Sequence, residues 1–465
     1  MSHQDSQNTG RGCVELNSAF LKLALHWLFG KADWSTIRWR SDCTWTPMFL
    51  SATALLWAVS GESTLGDRFQ ISRKISLFLY PELSKSASSY QGFIKLLAKW
   101  TDSLVGVIQT RMRQLMEQAL AEYWRINRVV MFGIDGCRVD LPRTKSNQAT
   151  YATSRKKNRK KQKKGKGKRG ISPASRHKRL NDSPQMWLTT MWHAGTGLPW
   201  DWRTGPSDSS ERAHLLEMLS DLPAEALITA DAGFVGYEYS KAILDSGRDL
   251  LIRVGSNVRL LRQLGYAREF SQTVYIWPTY ASRRKEPPLV LRLVVAHNGR
   301  HPVYVVTSLR SKTHSDRQIL ELYSRRWGIE LFYRSFKQTF GKRKLRSHAA
   351  TNTNIELAWS LMGLWIMSLY ALVQVTKTGI EPRQLSAAKL LRAFRSTLRD
   401  YRIPVERGQK LRDQLRAAVI GDSVRRNKSS RNYPRKRSEK PPGKPQIINA
   451  TDLQISLAKT LSGKA

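Results

Sequence analysis

Cysteine is scarce in this chain. The three present, Cys13, Cys43 and Cys137, share no C-x-x-C spacing, and a set so sparse and odd excludes both a disulfide framework and a zinc knuckle. Acidic residues are scarce as well: 36 Asp and Glu stand against 78 Lys and Arg, a formal net charge of +42. That imbalance calls for a polyanionic partner, because cationic side chains that neutralise phosphates release condensed counterions. Nucleic acid is the default partner and an anionic membrane surface the alternative. Histidine clusters are missing too: His193 and His348 have no ligand spacing with other His or Cys and read as structural. The N-terminus, MSHQDSQNTGRG, lacks the basic-then-apolar order of a secretion signal, which implies a reducing, cytoplasmic setting. Long apolar runs are limited to Leu357–Val373. That run falls short of the roughly 20 residues that cross a bilayer and reads as a buried core helix.

What is present is ample for a core: 41% hydrophobic residues, with 15 Trp, 15 Tyr and 13 Phe. From Asn17 to about Tyr123 the apolar spacing is helical, punctuated by Gly61, Gly66 and Pro81, which predicts an all-helical N-terminal domain. Given the charge, residues 1–124 are a candidate DNA-binding domain, with packing or dimerisation as the alternative. The texture then changes. Short β-rich runs begin at Val129, Met186, Ala226, Leu250, Val274, Leu289 and Pro302, with a helical pattern from Ser210 between them. Strands mixed with helices predict an α/β core over residues 125–375. The later strands cluster as a β-rich insertion at about 256–312, with turn signals at Pro287-Pro288 and Asn298-Gly299. Two segments are basic and of low complexity. The loop at 154–180 suits phosphate contact without sequence preference, and the tail from Val424 has the composition of a flexible segment. Residues 376–465 are expected to be helical and basic, ending in that tail.

The most specific local pattern starts at Glu321: ELYSRRWGIELFYRSFKQTFGKRKLRS. On one ideal α-helix Tyr323, Arg326, Glu330 and Lys337 would fall at about 0°, 300°, 340° and 320°, a single narrow polar stripe. A surface helix with an ordinary i,i+4 pair between Arg326 and Glu330 explains that stripe equally well. Two further acids change the balance. Asp135 is expected to end an apolar strand before Gly136, and Asp231 to end the strand ALITAD before Ala232-Gly233-Phe234. Two strand-terminal aspartates with a helical glutamate make an oxygen cage suited to two magnesium ions, which can clamp both oxygens of an in-line phosphoryl displacement. Trp277 could stack on an unpaired base but reads first as a core residue, and Arg253 divides evenly between DNA contact and an ion pair. Asp140, five residues beyond Asp135, ranks below it as an acid of the site.

The spacing Y-x2-R-x3-E-x6-K, downstream of Asp135-Gly136 and Asp231-Ala232-Gly233-Phe234, resembles the bacterial transposases of the insertion sequence 4 family. The likeness covers about Val129 to Val375. A Thr is common after the first Asp-Gly in such enzymes, where this chain has Cys137. The resemblance implies an RNase H-like core split by a β-strand insertion, with helical N- and C-terminal regions. It implies that Asp135, Asp231 and Glu330 bind two magnesium ions, with manganese able to substitute, and that Tyr323, Arg326 and Lys337 contact DNA phosphates. It implies cut-and-paste transposition through a hairpin, acting on terminal inverted repeats and target DNA as a dimer or multimer, away from membranes and without a nucleotide cofactor. Three competitors remain open: a stand-alone metal-dependent nuclease, a former transposase that only binds DNA, and a basic RNA-binding protein.

Overall fold

The computed structural model describes residues 15–40, 42–83, 89–152, 183–297, 302–405, 410–420 and 443–462. The basic loop at 154–180, the tail from Val424 to 442 and the Asn298-Gly299 turn lie outside the described residues.

Along the chain the first elements are helices: α1 (Asn17–Phe29), α2 (Pro47–Val59), α3 (Leu65–Leu79) and α4 (Tyr90–Ala119). Thr46 starts α2, its hydroxyl accepting the Phe49 N–H at 3.2 Å, and Pro47 occupies the first turn, where no N–H is needed. Eleven of the 13 residues of α2 are buried, as expected of a helix with no polar face.

Ten strands follow in one sheet: β1 (Val130–Asp140), β2 (Gln185–His193), β3 (Leu198–Gly205), β4 (Ala226–Ala230), β5 (Asp249–Val254), β6 (Arg259–Arg262), β7 (Thr273–Ile276), β8 (Leu289–His297), β9 (Pro302–Thr307) and β10 (Gln446–Asn449). Their order is β10-β6-β7-β8-β9-β5-β4-β1-β2-β3. Within it β3-β2-β1-β4-β5 is the RNase H-like core: β1 to β3 form an antiparallel meander, and β4 and β5 run parallel to β1. Helix α5 (Glu211–Met218) links β3 to β4, and α6 (Tyr237–Asp245) links β4 to β5. Strands β6 to β9 are the expected insertion. They extend the core sheet, because β9 pairs antiparallel with β5. After them come α7 (Asp316–Arg325) and α8 (Gly328–Arg334), then α9 (Ala350–Val375), α10 (Ala387–Arg399) and α11 (Asp452–Ser462).

The chain sorts into two compact units, residues 1–112 with 355–420 and residues 113–354 with 421–465. These divisions differ from the boundaries at 124 and 375 read from sequence. Most of α9 belongs with the N-terminal helices, because its apolar residues complete their core: Trp359 and Trp365 are fully buried, and the Trp359 Nε1 donates to the Thr101 hydroxyl at 3.0 Å. The same helix is longer than the apolar run in the sequence and matches a membrane span in length and composition, but two thirds of its most apolar window is buried within the protein. The C-terminal region is not wholly helical either. β10 lies in it and pairs parallel with β6, a non-local pairing that a four-residue run does not announce.

Candidate active site

Strand register brings the two aspartates together. β1 and β4 pair in parallel from Val130↔Ala226 to Gly133↔Thr229. Two places further along, that register sets Asp135 beside Asp231, on neighbouring strands and the same face. Asp231 follows β4 directly. Asp135, however, does not end its strand: β1 runs on to Asp140, held by its ladder with β2. What ends near Asp135 is the parallel partner, so the carboxylate emerges where the sheet splits.

Each aspartate is oriented by the main chain that follows it. Asp135 Oδ1 accepts the Gly136 N–H at 2.9 Å, and Asp231 Oδ1 accepts the Gly233 N–H at 2.8 Å, an Asx-type turn. The Gly233 carbonyl is in turn held by Arg212 Nε at 2.7 Å.

The third acid arrives on a helix pressed against the sheet. A Cβ on Gly328 would stand 2.0 Å from Cη2 of Trp192, so only glycine lets α8 approach β2 this closely. At the other end of α8, the Tyr333 hydroxyl donates to the Asp135 carbonyl at 2.7 Å and accepts the Thr190 N–H at 3.1 Å. Gly328→Ala is therefore expected to cost about 1–3 kcal/mol through overpacking, read by thermal unfolding, with Trp192→Leu in the same chain recovering most of the loss. A Gly328→Ala protein as stable as wild type would show that α8 yields without cost.

The single α-helix expected from Tyr323 to Lys337 is broken in two places. Between α7 and α8 the bonds tighten to an i→i+3 pattern: Trp327 N–H to Ser324 O, Ile329 N–H to Arg326 O, and Glu330 N–H to Trp327 O. After α8 a π-helical turn runs from Ser335 to Thr339. Tyr323, Arg326 and Glu330 still meet. Arg326 Nη2 lies 3.2 Å from Glu330 Oε1, and its guanidinium sits 5.8 Å from the Tyr323 ring centre. Burial works against the Arg326 charge, but Tyr323, Glu330 and Asp135 outweigh it and raise its pKa. Burial also raises the Tyr323 pKa, opposed by the charges of Arg326 and Arg253. Lys337 goes elsewhere: its charge acts on the thiol of Cys137, two residues along β1 from Asp135, and opposes the rise that burial causes in the thiol pKa.

The electrostatics mark two carboxylates, of which Asp135 is the first. Burial pushes its pKa up to about 6; the Gly136 N–H and Arg326 oppose that shift, while Asp231 and Glu330 reinforce it. A fourth carboxylate shares the field. Glu211, in the first turn of α5, rests against Gly136, where a Cβ would meet its Oε1 at 2.5 Å. Burial, then Asp135 and Asp231, raise the Glu211 pKa to about 7. Sequence reading missed Glu211, since an acid following an N-cap serine is ordinary helix chemistry. It missed Tyr333 for a similar reason: its hydroxyl acquires partners only in the fold.

Among the described residues no three Asp, Glu, His or Cys side chains are already gathered closely enough to hold a metal ion. The donor set nevertheless fits hard divalent cations. Asp135, Asp231 and Glu330 offer only carboxylate oxygens, and the repulsion from Asp231 and Glu330, which adds to burial in lifting the Asp135 pKa, is what a cation would relieve. Burial pushes the Cys137 pKa up to about 12, which favours the neutral thiol there.

The other residues singled out from sequence lie apart from this chemistry. Trp277 is buried, its Nε1 donating to the Glu286 carbonyl at 2.8 Å. His193 is buried against the Trp124 carbonyl and Thr196, and burial lowers its pKa to about 4. Asp140 accepts the Gln185 amide at 2.7 Å. Arg253 lies in β5, and its charge opposes the rise that burial causes in the Tyr323 pKa.

An RNase H-like sheet with aspartates on adjacent strands and a glutamate on the covering helix defines an α/β enzyme of phosphoryl-transfer type. The chain belongs to the transposase DDE domain family, whose model matches residues 134–366, half of its length. It is a DNA transposase. No curated protein matches it. Among solved structures it is similar to the cryo-EM structure of the piggyBac transposase synaptic complex with hairpin DNA, at 10% identity and a TM-score of 0.39 over 91% of this chain and 89% of that one. A likeness of that size carries no inference about this chain.

Proposed function

We propose that this transposase is of the insertion sequence 4 type, with Asp135, Asp231 and Glu330 as its catalytic and metal-binding acids. The observation that carries the proposal is the strand register that sets Asp135 beside Asp231, with Glu330 on α8 packed against the same sheet; Asp231 and Glu330 both act electrostatically on Asp135. When bound there, magnesium or manganese supplies Lewis-acid stabilisation of the attacking and leaving oxygens. The chain's own groups do the rest. Arg326, with Tyr323 behind it, presents a held positive charge beside the acids for a phosphate at the transposon end. Lys337 flanks the same strand at Cys137 as a second phosphate contact.

On this reading water first nicks the transposon end, and the freed 3′ hydroxyl then attacks the opposite strand to give a hairpin. The hairpin is opened again before insertion, in the cut-and-paste manner, within a dimeric or multimeric complex of protein and DNA ends in the bacterial cytoplasm. The N-terminal helices are proposed to help bind the ends. Incubation of the purified chain with magnesium, DNA ends flanking its own gene and a target plasmid is expected to yield hairpin and joined products. Cleavage without hairpins or joining would favour a stand-alone nuclease and sink the cut-and-paste reading.

A further inference from the structure

We infer that the Tyr333 hydroxyl is a positioning group for the reaction, setting the separation and orientation of Asp135 relative to the helix that carries Glu330. The inference rests on the proposed reading of those two acids.

Antiparallel ladders alternate between facing residues that exchange both main-chain hydrogen bonds and facing residues that exchange neither. Two contacts fix the phase for β1 and β2. The Leu141 N–H donates to the Pro184 carbonyl at 3.1 Å, and the Ala194 N–H donates to the Met131 carbonyl at 2.9 Å. Asp135 faces Thr190 and lies an even number of residues from both contacts, so this pair is of the exchanging kind. Here a side chain enters the ladder. The Tyr333 hydroxyl accepts the Thr190 N–H at 3.1 Å and donates to the Asp135 carbonyl at 2.7 Å. A phenol thus stands within the sheet's bonding at the residue that bears the first acid.

Packing alone would not require the oxygen, since phenylalanine fills nearly the same volume. The hydroxyl joins three things at once: β2, the backbone of Asp135 and, through its own ring, α8. At the far end of α8 the Gly328–Trp192 contact fixes the helix again, and Glu330 lies between the two fastenings. Without the hydroxyl, the Thr190 N–H and the Asp135 carbonyl lose their shared tie to α8. The strand that bears Asp135 and the helix that bears Glu330 are then free to shift against one another, and the Asp135 carboxylate loses its set relation to Glu330.

The test compares Tyr333→Phe with Phe332→Leu, which loosens the same helix at a buried neighbour that makes no bond to Asp135. Each full-length protein is assayed for thermal unfolding, for manganese binding by the loss of free-ion spin resonance, for affinity to DNA ends, and for single-turnover cleavage at saturating DNA. Tyr333→Phe is expected to cleave at least tenfold more slowly and bind manganese at least fivefold more weakly, with DNA affinity within twofold of wild type. Phe332→Leu should lose at least as much thermal stability yet keep cleavage and manganese binding within threefold. Equal losses in the two variants, or a wild-type rate in Tyr333→Phe, overturn the inference. Replacement of Tyr333 by 4-aminophenylalanine, which keeps a donor and an acceptor at the ring's end, should restore both readouts to within threefold. Should Tyr333→Phe not fold, that replacement decides alone, and a folded but slow protein counts against the inference. Asp135→Asn tells failure of the positioning role apart from failure of the site itself. If it is inactive while Tyr333→Phe is normal, the positioning role alone fails; if it cleaves normally, the reading of the site fails with it.

Discussion

Glu330→Gln binds transposon ends as tightly as wild type and cleaves them at least a thousandfold more slowly. The substitution keeps the side chain's shape, so α8 and its contacts with Trp192 and Tyr333 have no reason to move. What it removes is a negative charge at the point where β1, β4 and α8 converge. An acid that helps hold a catalytic cation is worth several kcal/mol of transition-state stabilisation, and about 1.4 kcal/mol corresponds to tenfold in rate. A loss of about 4 kcal/mol therefore gives the thousandfold figure. Arg326 loses its charged partner at 3.2 Å but keeps its place beside Tyr323, so the phosphate contact proposed for it is expected to survive. Gel-resolved single-turnover cleavage with a parallel filter-binding titration measures both quantities. A rate above a tenth of wild type would remove Glu330 from the catalytic set.

Asp135→Asn makes the protein more stable in the presence of a chelator while abolishing cleavage. Burial, with Asp231 and Glu330 behind it, raises the Asp135 pKa to about 6, against about 3.9 for an unperturbed aspartate. The folded state therefore holds this proton more tightly than the unfolded chain does, and ionisation counts against folding. Below about pH 4 the carboxyl is protonated in both states, and the two proteins should unfold at the same temperature. Between about pH 4 and 6 the wild type falls behind, and above that range the gap is complete. Each tenfold change in proton affinity is worth about 1.4 kcal/mol, so the gap reaches about 3 kcal/mol at most. Differential scanning calorimetry at about pH 4 and about pH 7.5, on either side of that window, decides the matter. An asparagine protein that melts below wild type at the higher pH would mean that the site does not strain Asp135.

The two predictions differ in how visible their residues are in the sequence. Asp231 is legible because the five-residue apolar strand β4 ends where the acid begins. Asp135 is legible as a residue but not as a place. Its strand continues to Asp140, and the feature that exposes it is the end of a neighbour distant in sequence. Glu330 stands out by its spacing from Tyr323 and Arg326, which survives even though the helix predicted to carry them is broken. The tightened turn at Arg326–Glu330 and the π-helical turn after Arg334 leave no mark in composition or periodicity. Lys337 accordingly ends beside Cys137 rather than on a shared stripe. Glu211 and Tyr333 were out of reach for a different reason: a first-turn glutamate and a buried tyrosine are commonplace, and only tertiary contact with Gly136, Asp135 and Thr190 gives them their partners. The insertion was legible as a cluster of strands, though its union with the core sheet through β5 and β9 was not.

The pairing of β10 with β6 also bears on how the chain is made. A ribosome delivers Arg259–Arg262 long before Gln446–Asn449, so the outer rim of the growing sheet must wait without its final strand. An open rim of main-chain donors and acceptors is a template for any other extended chain nearby. Each molecule therefore passes, during synthesis, through a period in which β6 is that rim, and the period ends when Gln446–Asn449 takes over as the edge strand. Translation pausing upstream of Gln446 would lengthen it.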